Sequence, residues 1–449
     1  MRLVLTSHLF LPDHVGGTEV LTLASARELQ RRGHEVVVCT GRPSDVDVPD
    51  ESRFDEYEYD GVLVHRYSRD ARPASARPDH VDPLYGRWFG GLLRRYSPDV
   101  VHFFHLGNLS ASAVDACVEA DVPTVMTATD YWLICPNCQL RLPDDSPCAG
   151  PDADGVNCIR HAVADTQPGP VAAAFGLLPD RAVSFLVERI EGGAWGTGSL
   201  GRKAGNLAQR VGFLRERMNR LDRVVVPTRL MLDRLVAAGL RADRVVLRRY
   251  GIRAVQPVPR VADERGRLRV GFIGTLGEHK GAHVAVAAVR SLPAALPVEL
   301  RIYGGLDFDP PYTRRLQALA GDDPRIRFCG TFPNEEIGTI FSGIDVLVVP
   351  SIWFENTPLV IDSAQAAACP VIASDLGGMS EAVEHGRNGL LFPAGDAAAL
   401  ARLLESVATD RAMLDRLSAS AVPPKTDAEY VEEMLQVYAE VLAERRAGR

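Results

Sequence analysis

The feature that most constrains this chain is a rhythm. Short β-branched strands alternate with helical patterns, pause across a polar, proline-bearing stretch, and then restart. In the first half, Leu3-Val4-Leu5-Thr6 and Val36-Val37-Val38 are apolar runs separated by a helical pattern over 18–32, which stops at Gly33. Glycine suits the position just past a helix. Further strands are expected at 62–65, 100–104, 122–126 and 223–226. The polar stretch 257–267 reads as an interdomain linker. After it, strands are expected at 268–273, 298–303, 326–329, 346–349, 371–373 and 389–392, with helices between them. Such alternation implies parallel βαβ units. The expected architecture is therefore α/β, with two Rossmann-like parallel-sheet domains facing each other across a cleft.

The expected boundaries are 1–255 for the first domain, 256–425 for the second, and 426–449 for a C-terminal helix. That helix carries Tyr430, Met434, Val437 and Val441 at helical spacing, and its apolar stripe is expected to pack back on the first domain. From 130 to 220 the βα rhythm weakens into a Cys-rich loop and Arg-rich helical segments, an excursion from the first sheet.

A length of 449 residues exceeds one ordinary core, and 46% apolar with 24% charged residues is a globular composition. The net charge of −8 argues against a nucleic-acid binder that works by neutralising phosphates. No apolar run reaches the roughly 18–20 residues of a membrane span, and the N-terminus does not resemble a signal peptide. The expectation is a cytoplasmic protein. A peripheral membrane contact through the Arg-rich stretch 207–220 is weighed against a solvated helix face.

Two segments can carry phosphate and sugar chemistry. Gly274-Thr275-Leu276-Gly277-Glu278-His279-Lys280-Gly281 follows a strand and opens a helix, where backbone N–H groups attract anions. Lys280 adds a full charge there, and it is one of only three lysines, with Lys203 and Lys425. The second segment, Pro350-Ser351-Ile352-Trp353-Phe354-Glu355-Asn356-Thr357-Pro358-Leu359, follows an apolar strand and leads into a helix. Glu355 can accept hydrogen bonds from sugar hydroxyls, or can simply be an acid favoured at a helix N-terminus. Neither half shows Gly-x-Gly-x-x-Gly after its first strand, which speaks against a dinucleotide-dependent oxidoreductase.

Taken in order, the run 350–358, the segment 364–374, Gly377-Gly378 and Gly386-Arg387-Asn388-Gly389-Leu390 resemble retaining glycosyltransferase family 4, of GT-B fold. Gly16-Gly17-Thr18-Glu19 and Pro98-Asp99-Val100-Val101-His102 are similar to that family as well. The resemblance implies transfer of a sugar from a nucleotide diphosphate donor to a hydroxyl of a glycan, glycolipid or small metabolite, with no cofactor for catalysis. It places Lys280 on the departing diphosphate and Glu355 on the donor sugar. Gly17, Gly274, Thr275, Thr331, Asn356, Thr357, Pro358, Leu359 and Ser363 complete the donor-side expectation. Ser363 stands where the family usually has a second Glu, Thr275 where an Arg is frequent, and Thr129 where a His is usual. These departures keep open a GT-B-fold binding or regulatory protein without transfer activity.

On the acceptor side, His102, His105, Thr129, Asp130 and Trp132 fall at expected strand ends. A strand-end His is either catalytic or structural, and Trp132 is either a stacking surface or core. Cys135, Cys138, Cys148, Cys158 and His161 lie within one short stretch. They offer the ligands of a tetrahedral structural zinc site, or are free thiols in a reducing compartment.

Overall fold

A computed structural model describes the chain except for residues 44–48, 70–78, 145, 168, 192–198, 256–257, 262 and 449. Pro257 and Ala262 of the expected linker therefore lie outside the described residues. The chain divides into two compact units. Unit 1 comprises Met1–Asp144, Cys148–Tyr250 and Asp427–Arg449, and unit 2 comprises Asp145–Pro147 and Gly251–Thr426.

Among the described residues, unit 1 holds eight strands: β1 (Arg2–Ser7), β2 (Glu35–Arg42), β3 (Phe54–Tyr59), β4 (Val62–Ser68), β5 (Val100–Phe103), β6 (Thr124–Thr127), β7 (Arg223–Val226) and β8 (Val245–Leu247). Their order in the sheet is β3-β4-β2-β1-β5-β6-β7-β8. All pairs are parallel except β3 with β4. β3 was not expected from the sequence. Its Phe-Asp-Glu-Tyr-Glu-Tyr run is too acidic to read as a buried strand, yet an edge strand tolerates charge and gains by it.

Unit 2 holds β9 (Leu268–Ile273), β10 (Val298–Tyr303), β11 (Ile326–Gly330), β12 (Val346–Val349), β13 (Val371–Ser374) and β14 (Gly389–Phe392). They form a parallel sheet in the order β11-β10-β9-β12-β13-β14. Successive side chains of a strand point to opposite faces, and β12 shows it. Val346 and Val348 enter one core with Val284, Leu300 and Leu404, while Leu347 and Val349 enter another with Ile361 and Met379.

In each sheet the strand order reverses beside the first strand, between β1 and β5 and between β9 and β12. Open α/β sheets bind ligands outside the carboxyl ends of their strands at such a switch point. This topology directs attention to the residues that follow these four strands.

The helix Asp427–Ala447 returns to unit 1, where it buries Tyr430, Val431, Met434, Val437, Tyr438 and Val441. His102, on β5, is fully buried beneath it: Nδ1 lies 2.6 Å from the Tyr438 hydroxyl and Nε2 lies 2.8 Å from Thr127 Oγ1. Thr127 also meets the Tyr430 hydroxyl, at 2.9 Å. Burial pushes the His102 imidazole down to about 3. The folded chain thus refuses a proton that the unfolded chain accepts near pH 6.5. The resulting stability is whole above about pH 6.5 and is lost as pH falls toward 3. Between about pH 7 and pH 5 the parent should lose about 2 kcal/mol more than a His102→Gln variant, measured by urea unfolding. Equal losses would remove His102 from this account.

Candidate active site

The unit 2 group is built on the two switch-point strands. After β9 the chain makes a short turn, Glu278–Lys280, and Gly281 caps the helix Ala282–Ser291 with φ 72°. A Cβ on Gly281 would lie 1.9 Å from the Pro350 carbonyl oxygen, so only glycine lets this turn approach the end of β12 so closely. Ile352 N donates to the His279 carbonyl at 2.9 Å and fastens the two segments. From the other side, Gly378 N donates to the Glu355 carbonyl at 2.7 Å, and a Cβ on Gly378 would lie 1.8 Å from Asn356 O.

This scaffold brings together residues 75 positions apart. Lys280 Nζ donates to Glu355 Oε1 at 2.6 Å, and the same oxygen accepts from Ser351 Oγ at 2.9 Å and Trp353 Nε1 at 3.0 Å. The ammonium also lies 5.3 Å from the Trp353 ring centroid. Glu355 is only 5% exposed. Burial opposes its ionisation, but the Lys280 charge and the three hydrogen bonds outweigh it and hold the carboxyl below its ordinary value. The result is a buried carboxylate with one oxygen fully engaged, beside a cation that stays partly open to solvent.

The other donor-side residues are dispersed around this pair. Asn356 is buried, and Thr357 presents a buried hydroxyl with no hydrogen-bond partner among the described residues. Pro358 precedes the helix Leu359–Ala366. Gly274 and Thr275 follow β9, and Thr331 follows β11, with both threonines exposed. Ser363 Oγ is turned onto the Leu359 carbonyl of its own helix, at 3.0 Å. Gly17 opens the helix Gly17–Arg31 in unit 1.

In unit 1 the residues after β1, β5 and β6 converge. His105 Nε2 lies 2.8 Å from Asp130 Oδ2, while its Nδ1 accepts from Gly107 N at 2.8 Å. A backbone N–H can only donate, so Nδ1 carries no proton and Nε2–H donates to the carboxylate. Asp130 Oδ1 accepts from Trp132 N at 2.8 Å. Burial raises the Asp130 carboxyl, but His105 and the Trp132 N–H outweigh it and leave the group below its ordinary value. His8 and Glu19 complete the group, and the sequence reading assigned a role to neither. The His8 ring lies 4.2 Å from that of His105, and its Nε2 lies 3.5 Å from Glu19. Burial, aided by His105, lowers His8 to about 3, and burial raises the Glu19 carboxyl above its ordinary value.

Other acceptor-side expectations fall outside this group. His102 is sealed under the C-terminal helix, as described above. Trp132 is only 3% exposed, with the Arg210 guanidinium 5.3 Å from its ring centroid, so it is core and not an open stacking surface. Thr129 Oγ1 donates to the Phe104 carbonyl at 3.1 Å.

The expected zinc ligands do not assemble. Among the described residues, no three ligand atoms of Cys135, Cys138, Cys148, Cys158 and His161 lie within 4.8 Å of one another. The reason is local. Cys138 has a left-handed backbone, φ 63°, and stands with His105 and Asp130. Cys135 Sγ meets Asn137 Oδ1 at 2.8 Å, and Cys148 Sγ accepts from Gly150 N at 3.4 Å. The His105–Asp130–Cys138 trio is no better fitted to a metal. A metal on Nε2 would move the ring proton to Nδ1, against the Gly107 N–H.

The family model described as Glycosyl transferases group 1 matches residues 267–410, and that described as Glycosyltransferase Family 4 matches residues 15–140. The D-inositol 3-phosphate glycosyltransferase of Corynebacterium efficiens is 35% identical over 159 residues, 34% of this chain and 37% of that protein. The 2-deoxystreptamine glucosyltransferase of Streptomyces kanamyceticus is 31% identical over 197 residues, 42% of this chain and 46% of that protein. The chain thus spans less than half the length of these curated relatives. Similar folds include Anabaena HepE in complex with UDP and glucose, at TM-score 0.63 and 14% identity over 98% of this chain and 99% of that one. Sucrose-phosphate synthase from Thermosynechococcus elongatus matches at TM-score 0.66 and 19% identity, over 99% of both chains. Two α/β units, each with a polar group at its switch point, and two glycosyltransferase models in the matching order lead to one conclusion: the chain belongs to the GT-B glycosyltransferases, with a family 4 domain on its N-terminal side and a group 1 domain on its C-terminal side.

Proposed function

We propose that the chain transfers a sugar from a nucleotide diphosphate donor to a hydroxyl acceptor, with retention at the anomeric carbon. The observation that carries this reading is the Lys280–Glu355 pair at the carboxyl ends of β9 and β12. A partly open ammonium beside a helix N-terminus suits a diphosphate, and a buried, ionised carboxylate suits sugar hydroxyls. Thr357 Oγ1, buried without a partner among the described residues, is a further donor-side hydrogen-bonding group. HepE, a similar fold, is described in complex with UDP and glucose, which favours a donor of this class.

In the proposed step the bond from the anomeric carbon to the diphosphate oxygen breaks as the acceptor oxygen attacks from the same face. The acceptor proton passes to a phosphate oxygen of the leaving group. Such a step needs charge stabilisation of the diphosphate more than a protein base, and Lys280 would supply it. Asp130, oriented by His105, would hold an acceptor hydroxyl. Ser363, whose hydroxyl serves its own helix, would add little at the ribose.

The test is a panel of nucleotide sugars offered with glycan, glycolipid and small hydroxyl acceptors, with products read by mass and anomeric configuration by NMR. A glycoside that keeps the donor's anomeric configuration is expected. Donor binding in calorimetry with neither transfer nor donor hydrolysis across the panel would overturn the reading in favour of a binding protein.

A further inference from the structure

The Arg-rich stretch 207–220, weighed as a membrane contact against a solvated helix face, is largely occupied within the protein. Leu207, Arg210, Leu214 and Met218 are buried, and Arg217 and Arg220 pair with Asp115 and Glu216. A different surface of the same excursion stands open. The helices Val156–Thr166, Gly169–Gly176, Asp180–Glu191 and Ser199–Met218 share a small core of Val156, Ile159, Val183, Val187, Ala204 and Leu207. Phe175 and Leu178 turn toward it. The rest of the corner between the second and third of these helices faces out.

From 169 to 179 no side chain carries a charge or a hydrogen-bonding group. Leu177 is 86% exposed, Phe185 54% and Val171 52%, with Ala173, Ala174 and Pro179 exposed beside them. A contiguous apolar surface of this kind marks an interaction site. The corner is also prepared for a poorly hydrated setting. Arg160 caps its backbone, donating to Gly176 O at 3.1 Å and Leu178 O at 2.7 Å, and pairs with Asp180 at 2.6 Å.

We propose that this corner docks the chain on an anionic lipid bilayer, with Val171, Leu177 and Phe185 entering the boundary between headgroups and acyl chains. Three observations select a bilayer over a protein. Protein interfaces ring an apolar core with a polar rim and hydrogen bonds, whereas this face has no hydrogen-bonding side chain over eleven residues. Nearest the corner, in 169–206, the basic Arg181, Arg189, Arg202 and Lys203 outnumber the acidic Asp180, Glu188 and Glu191 within a chain of net charge −8, a balance that suits anionic headgroups. No single helix is long and apolar enough to cross a membrane among the described residues, and the pair Gly169–Gly176 and Asp180–Arg189, apolar enough together, is bent by 110°. A pair bent in this way suits a segment seated in an interface. Docking stands independently of the transfer reaction.

The full chain should co-sediment with vesicles rich in phosphatidylglycerol, less with phosphatidylcholine alone, and less in high salt. Val171→Ser combined with Leu177→Ser should weaken binding at least roughly tenfold, with an unchanged circular dichroism spectrum and thermal midpoint. A Phe185→Trp variant should shift its emission to the blue on the same vesicles. Absence of vesicle binding by the parent, or equal binding by the double variant, would overturn the proposal. So would a self-association without lipid that depends on Leu177, because a second copy would then cover the corner.

Discussion

Lys280→Ala should slow transfer by roughly 100- to 1000-fold at saturating donor, the loss typical of removing one fixed charge from a developing anion. The structure gives the substitution a second, separable effect. In the parent, Glu355 ionises despite its burial because Lys280 and the hydrogen bonds from Lys280, Ser351 and Trp353 outweigh desolvation. Without Lys280, Ser351 and Trp353 still donate to that oxygen, but the charge that opposed desolvation is gone. The carboxyl should rise, and unit 2 should lose about 1–3 kcal/mol. Because the Lys280 side chain is 25% exposed, the lower part of that range is expected. Lys280→Arg separates the two effects. It restores the charge and hence most of the stability, but a planar guanidinium cannot reproduce a compact ammonium, so turnover should recover only in part. The measurements are kcat under saturating donor, and thermal midpoints with and without nucleotide. Full turnover in Lys280→Ala would sink the assignment of Lys280, whatever its stability.

The rhythm of strands and helices made the two-sheet organisation legible because burial on both faces of a parallel strand leaves an unmistakable apolar run, as in Val346–Val349. β3 escaped because an edge strand need not look buried. The Lys280 and Glu355 segments were each visible as Gly- or Pro-marked turns after a strand. Their contact was not, since it depends on β9 and β12 lying side by side at the sheet's reversal. His8 carries no motif and Glu19 only closes the Gly16–Glu19 segment, and what gathers His8 with His105 and Asp130 is the adjacency of β1, β5 and β6. A signal was nevertheless present for His8: it follows the first strand of the sheet by one residue. For the cysteines the sequence left two readings open, a zinc site and free thiols. Spacing does not specify side-chain direction, and the left-handed Cys138 stands with His105 and Asp130. The exposed corner at 169–179 shows the same limit. Its apolarity is plain in the sequence, but whether such a run is core or surface is decided only by what packs against it.

Gly281→Ala is expected to be strongly damaging to unit 2, and its control lies in the same unit. Gly281 and Gly266 both have left-handed backbones, φ 72° and φ 67°. Around Gly266 an added Cβ meets nothing within 4 Å, so alanine there carries only the backbone strain, about 1 kcal/mol. At Gly281 the same Cβ would lie 1.9 Å from Pro350 O and 2.7 Å from Pro350 C. These are backbone atoms at the end of β12, with no flexible side chain to give way. The turn and the strand end must separate, which strains the Ile352 N to His279 O bond and draws Lys280 from Glu355. The added loss should bring the total to about 3 kcal/mol or more. Calorimetric melting should show it as a lowered transition for unit 2. Because Lys280 immediately precedes the altered residue, nucleotide affinity and transfer should fall as well, while Gly266→Ala leaves both near the parent. If the two variants melt alike and bind nucleotide alike, the close approach of Gly281 to Pro350 is not what sets the Lys280–Glu355 geometry.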